Sequence, residues 1–125
     1  MWLRKFRPFQ LGGAKIVFET ATLSAPGGRT ANEDFLGYRM MEASGCWALA
    51  DGLGGHRGGE IASRLAIDAA ISSFEQDSSI TAEALKTHLS RANRAVLERQ
   101  TAEAELMHMR TTMVMLIASD RKSVV

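Results

Sequence analysis

The sequence predicts an α+β fold: an antiparallel sheet covered by helices on one face. Two observations point there. Runs rich in β-branched and apolar residues gather early in the chain and again at its end, while two stretches of helical periodicity lie together between them. Strands and helices grouped in this way, instead of alternating, favour an antiparallel sheet over a parallel one. The join between the second and third runs is also of hairpin length.

Lys15–Thr22 is rich in β-branched and apolar residues and is expected to be a strand, broken by Ser24-Ala25-Pro26-Gly27-Gly28. Residues 1–14 precede it as an N-terminal arm. Phe35–Met41 and Gly45–Ala50 read as two strands joined by Glu42-Ala43-Ser44-Gly45. An antiparallel pair puts the start of its first strand beside the end of its second, so Asp34 and Asp51 are expected at one end of the sheet. Ile61–Glu75 is helical, with Ile61, Leu65 and Ala69 on one face and Ile67, Ala70, Ile71 and Phe74 on another. So wide an apolar arc belongs to a helix packed on a sheet. Thr81 opens a second helix in which Leu85, Leu89, Ala92 and Val96 recur at helical spacing. His88 falls on its apolar arc and is expected to be half-buried. Thr111–Ala118 is a further strand, Ser119–Lys122 a turn, and Ser123 onward a return strand.

Composition narrows the class. A net charge of +1 gives no drive toward nucleic acid. The longest apolar run, Met113–Ala118, is far too short to span a bilayer, and the N-terminus has charges but no apolar signal core. Trp2, Phe6 and Phe9 among Arg4, Lys5 and Arg7 read as a terminus, not a nucleic-acid or membrane surface. The lone Cys46 lies in an apolar run and suits a reduced core residue; the cytoplasm is the expected compartment. No membrane or nucleic-acid partner is expected.

The segment Asp51-Gly52-Leu53-Gly54-Gly55-His56-Arg57-Gly58-Gly59-Glu60 carries most of the chemistry. An apolar strand delivers a carboxylate into a glycine-rich stretch where backbone can approach a ligand. Arg29-Thr30-Ala31-Asn32-Glu33-Asp34 adds two more carboxylates and an arginine. Carboxylate and carbonyl oxygens suit hard cations such as Mg²⁺ or Mn²⁺, and a guanidinium fork suits phosphate. The spacing fits neither a dinucleotide fingerprint nor a P-loop, and no histidine pair is spaced for zinc.

Arg29-x-x-Asn32-Glu33-Asp34, then Asp51-Gly52-Leu53-Gly54-Gly55, then Arg110-Thr111-Thr112 ahead of a strand, resembles the bacterial branch of the PP2C or PPM family of metal-dependent protein serine/threonine phosphatases. Arg110 departs from the glycine usual there. The resemblance implies a β-sandwich flanked by helices, of which 15–125 is the N-terminal portion. It further implies two Mg²⁺ or Mn²⁺ ions in the complete enzyme and hydrolysis of phosphoserine or phosphothreonine by a metal-activated water. Asp51 and the Gly52 carbonyl then become metal ligands. Glu33 and Asp34 hold metal-bound waters or ligate directly, and Arg29 holds the substrate phosphate. The partner implied is a phosphorylated protein, set against a serine/threonine kinase.

The family's later aspartates do not occur here, and Asp120 sits in a turn apart from the expected site. The chain is therefore expected to be truncated, to carry half a metal centre and to be inactive alone. The alternatives are a non-catalytic binding or regulatory remnant of the same fold, or a small-molecule-binding module built on the glycine loop. His56 is expected to be a loop residue without a catalytic role.

Overall fold

The structure, a computed structural model, describes residues 18–53 and 57–125. It contains four strands: β1 (Asp34–Met40), β2 (Ser44–Leu53), β3 (Arg110–Ser119) and β4 (Ser123–Val124). They pair in sequence order, each antiparallel to the next. Two helices, α1 (Gly58–Gln76) and α2 (Ala82–Ala102), intervene between β2 and β3. Helix α1 lies against the three long strands and α2 packs on α1, so the helices share one side of the sheet. The predicted α+β class and strand grouping hold.

Alternation along the strands sets the core. Cys46, Ala48 and Ala50 of β2 and Met115 and Ile117 of β3 turn inward and are buried. Against them α1 sets Ala62, Ala66, Ile67, Ala70 and Phe74, spaced to fall on one stripe. The stripe follows the second of the two faces read from sequence; Ile61 and Leu65 flank it, half-buried. Alanines along this stripe let the helix axis approach the sheet, and Gly37 continues the fit. A Cβ there would come 2.6 Å from Ile67 Cγ2 and Ile71 Cδ1. Phe74 is fully buried, and truncating such a side chain costs about 3–5 kcal/mol. Burial pushes the Cys46 thiol up to about 11, so it stays an unreactive core thiol.

Thr81 caps α2, its hydroxyl accepting from the Ala84 amide at 3.1 Å. Leu85, Ala92 and Val96 are buried, but Leu89 is open to solvent. His88 is more deeply placed than the sequence suggests. It has no exposed surface, and its Nδ1 shares a 2.7 Å hydrogen bond with Ser73 Oγ of α1. Helical periodicity shows only that His88 faces inward; the partner serine on the other helix completes its burial.

The predicted first strand differs. Residues 15–17 and the arm 1–14 lie outside the described residues. Phe18–Thr22 belongs to no strand. It runs beside the sheet through side chains: Phe18 meets Trp47 edge-on at 5.0 Å between centroids, and Trp47 Nε1 donates to Thr20 Oγ1 at 2.8 Å. Strand-like composition expresses fit to a half-buried surface, and here that fit is made without a backbone ladder.

The sheet face away from the helices is apolar. Leu36, Tyr38, Trp47, Leu49, Val114 and Leu116 line a shallow groove of about 390 Å³ on it. Leu49 is 50% exposed and Val114 52%, so charged replacements there desolvate nothing. The isolated chain is expected to bind a hydrophobic dye such as ANS and to self-associate at high concentration. Leu49→Lys with Val114→Lys should reduce both with little change in Tm. Sedimentation and dye fluorescence check this; unchanged dye binding in the double variant would place the sticky surface elsewhere.

His88 makes a second expectation. Burial holds its pKa below the ordinary 6.5, opposed by the Asp77 carboxylate and reinforced by Arg91. Its Nε2 is buried without a partner among the described residues, so the neutral ring is the tolerable form. Because the folded value is depressed, this contribution to stability is complete above pH 6.5. It falls as the unfolded chain takes up protons below that value, and levels off below the folded pKa. Tm should drop between pH 7.5 and 5. His88→Gln should flatten that slope, and an unchanged slope would assign it to other groups.

Candidate functional site

Strand register builds the site. Asp34, the first residue of β1, is directly opposite Asp51 of β2. One step further along, the Gly52 amide donates to the Glu33 carbonyl at 3.2 Å. Opposed residues in an antiparallel pair alternate between hydrogen-bonded and non-bonded, and the non-bonded pairs bring side chains closer. Glu33 and Gly52 are the bonded pair, so Asp34 and Asp51 form a close, non-bonded one. Both are exposed, and among the described residues neither takes part in an ion pair. Like charges directly opposite destabilise a sheet. A cation at this end of the hairpin would relieve that cost.

Sequence reading groups Glu33 with Asp34, but the strand pleat separates them. Asp34 shares a face with Asp51, whereas the Glu33 carboxylate lies on the helix side. A Cβ on Gly59 would come 2.6 Å from Glu33 Oε1. The carboxylate therefore rests over the first turn of α1, at the positive end of the helix dipole. The N-cap residue Arg57 contributes no side-chain bond there. The helix starts at Gly58, earlier than its apolar periodicity indicates, because Gly58 and Gly59 allow this close approach.

Gly52 is buried at the same crossing, within the strand and not in a loop after it. A Cβ on Gly52 would meet the Glu33 carbonyl oxygen at 2.7 Å and the Gly59 backbone more closely still. Two hydroxyls that sequence reading assigned no role complete the corner. Ser63 Oγ of α1 donates to the Glu33 carbonyl at 2.6 Å, and Thr111 Oγ1 of β3 donates to the Asp51 carbonyl at 2.8 Å. Thr111 stands in the Arg-Thr-Thr motif, so its place was signalled; Ser63 shows only as a serine on an apolar helix face.

Beside Asp34 a cleft of about 390 Å³ is lined by Ser24, Asn32, Asp34, Phe35, Glu60 and Arg64 among others. The Arg64 guanidinium lies 4.4 Å from the Phe35 ring centroid. Asn32 fixes the turn into β1, its Oδ1 accepting from the Asp34 amide at 3.1 Å and its Nδ2 donating to Ser24 Oγ at 2.7 Å.

Arg29 occupies an exposed turn closed by its own amide donating to Pro26 O at 3.1 Å, with Gly27 at φ 60°. Its side chain forms no ion pair or hydrogen bond among the described residues. Gly54, Gly55 and His56 lie outside those residues. Arg110 begins β3 opposite Leu53, two residues from Thr112, which faces Asp51. Asp120 is at the far end: Ser119 pairs with Ser44, so Asp120 stands roughly 25 Å from Asp51 along the strands. Among the described residues no three His, Cys, Asp or Glu side chains gather closely enough to hold a metal by themselves. No described helix is long and apolar enough to cross a membrane.

A four-stranded antiparallel sheet, two helices on one face and paired aspartates at a hairpin end define an α+β domain with two exposed carboxylates at one sheet end. Residues 27–125 match the model of the protein phosphatase 2C family, and the chain belongs to that family. No curated protein matches it in sequence. Bacterial serine/threonine phosphatases are among the similar solved structures. The Mycobacterium tuberculosis serine/threonine phosphatase PstP/Ppp is 27% identical with a TM-score of 0.58, covering 76% of this chain and 39% of its own. Stp1, a serine/threonine phosphatase from Staphylococcus aureus, is 29% identical with a TM-score of 0.64, covering 74% and 38%. A bacterial serine phosphatase reaches a TM-score of 0.65 at 27% identity, covering 76% and 45%. The chain thus spans less than half the length of these relatives.

Gly52→Ala should be severely destabilising, because the atoms it meets are backbone and cannot rotate aside. A Tm lowered by about 10 °C or more is expected by calorimetry. An unchanged Tm would contradict the crossing of β2 and α1 described here.

Proposed function

We propose that this chain forms part of a metal-dependent protein serine/threonine phosphatase, with Asp34 and Asp51 as the carboxylates that hold Mg²⁺ or Mn²⁺. The placement of these two exposed carboxylates on directly opposite residues carries the reading. The donors are all oxygen and open to water, which fits ions that keep several aqua ligands. A divalent ion in such a site supplies Lewis acidity that activates water and neutralises phosphoryl charge.

The remaining roles are assigned to this chain's own residues. Asp51 is the better fixed ligand, since it lies inside β2 between two partner strands and its carbonyl is held by Thr111. The Gly52 carbonyl adds a further oxygen. Glu33 contributes negative charge from its place over α1 and fixes the position of Asp34. Arg29, on its exposed turn, would take the substrate phosphate with a bidentate fork. The substrate class is a phosphorylated protein and the opposing activity a serine/threonine kinase. The reduced, buried Cys46 supports a reducing compartment such as the cytoplasm.

Two carboxylates leave most of an ion's ligands to water, so the 125-residue chain alone is expected to bind metal weakly and turn over little. The lack of a third nearby ligand among the described residues also favours a second reading, a binding or regulatory module of this fold without turnover. Calorimetric titration with Mn²⁺, alongside p-nitrophenyl phosphate hydrolysis, separates these readings. Weak binding removed by Asp51→Asn or Asp34→Asn and unaffected by Asp120→Ala is the expected result. In metal-free buffer either asparagine should raise Tm by removing like-charge repulsion. Robust turnover abolished by Asp51→Asn would show that the chain is active alone. Equal loss with Asp120→Ala would put the metal elsewhere.

A further inference from the structure

We infer that Ser63 is a positioning residue for the metal site, setting Asp34 at its working distance from Asp51 by fixing the carbonyl of Glu33. The inference rests on the metal-binding reading above and extends it to a residue of α1.

Ser63 lies in the second turn of α1 and has no exposed surface. Its hydroxyl is 2.6 Å from the Glu33 carbonyl oxygen and 3.2 Å from the carbonyl of Glu60 in its own helix. One hydroxyl proton serves one strong bond, and the shorter contact identifies Glu33 as the main acceptor. The same oxygen accepts the Gly52 amide at 3.2 Å. Both lone pairs of the Glu33 carbonyl are thereby used, one by the sheet and one by the helix. The peptide bond that carries this carbonyl also carries the Asp34 amide, which is bonded to Asn32 Oδ1. The peptide unit entering Asp34 is held on both sides, and little freedom remains in the direction of its side chain.

Without Ser63, β1 would still pair with β2, but the Glu33 carbonyl would lose its bond to α1 and keep only the one from the Gly52 amide. Asp34 is at the end of an outer strand among the described residues, where ladders fray. Like charge on Asp51 directly opposite would push it outward. The Ser63 bond opposes that push. Groups that orient a ligand without touching the metal commonly change affinity by about ten- to a hundred-fold when removed.

Ser73 provides an internal control. It is a buried serine of the same helix, bonded to His88 Nδ1 at 2.7 Å and ten residues from Ser63. Ser63→Ala and Ser73→Ala each delete one buried hydroxyl and should lower Tm comparably. Calorimetric titration with Mn²⁺ should show about tenfold weaker binding in Ser63→Ala and unchanged binding in Ser73→Ala. Amide hydrogen exchange by NMR should show faster exchange at Gly52 in Ser63→Ala only. Ser63→Cys fills the same space with a poorer donor and should fall between wild type and alanine in both readouts, which covers a poorly folding alanine variant. Unchanged Gly52 exchange, unchanged Mn²⁺ affinity in Ser63→Ala, or equal losses in the two alanine variants would overturn the assignment. If the wild-type chain bound no Mn²⁺, the metal-binding reading itself would fail; the Gly52 exchange rates would then still show whether Ser63 holds the corner.

Discussion

The pairing of Asp34 with Asp51 is the constraint on which the rest of this structure turns. Two exposed carboxylates stand on directly opposite residues at the end of a hairpin, and local bonds fix the backbone there from three directions. Asn32 bonds the Asp34 amide, Ser63 and the Gly52 amide bond the Glu33 carbonyl, and Thr111 bonds the Asp51 carbonyl. Under the proposed metal binding, an ion held by Asp34 and Asp51 would offset like-charge repulsion between them and so link metal binding to local stability.

The helix layer serves the same corner. Small residues along α1 bring it close to the sheet, and its first turn meets Gly52 and the Glu33 carboxylate at a separation only glycine allows. The dipole of α1 then favours the Glu33 charge, so the carboxylate nearest the aspartate pair is already compensated by the helix. Asp34 and Asp51 take part in no ion pair among the described residues. The parting of neighbouring carboxylates thus follows from the two-residue period of a strand: Glu33 faces the helix, and Asp34 faces the other side of the sheet with Asp51.

Much of the fold was legible because it rests on local periodicity. Both helices, the hairpin, the return strand and the Thr81 cap agree with the sequence patterns, and the opposition of residues 34 and 51 follows from hairpin geometry. The differences arise where tertiary contacts override local preference. Gly58 and Gly59 are poor helix formers, yet they begin α1 because Glu33 and Gly52 pack on them. Strand β2 runs on through Asp51 and Gly52 to Leu53, since β3 pairs with it over that whole length. Phe18–Thr22 has strand composition but meets the sheet through Trp47. The motif pattern placed Glu33 beside Asp34 in chemistry as well as sequence, and only the pleat reveals that they part. Ser63 and the complete burial of His88 depend on partners thirty and fifteen residues away, which no pattern along a single helix reports.

We propose that a divalent cation binds between Asp34 and Asp51. Paramagnetic broadening by Mn²⁺ in an ¹⁵N-resolved NMR spectrum tests it directly, because the effect falls steeply with distance from the ion. Substoichiometric Mn²⁺ should broaden the amide signals of Asp34, Asp51, Gly52 and Thr112 first, and leave Ser44, Ser119 and Asp120 at the opposite end of the sheet sharp. Broadening centred on Asp120, or spread evenly over the exposed carboxylates, would contradict the account.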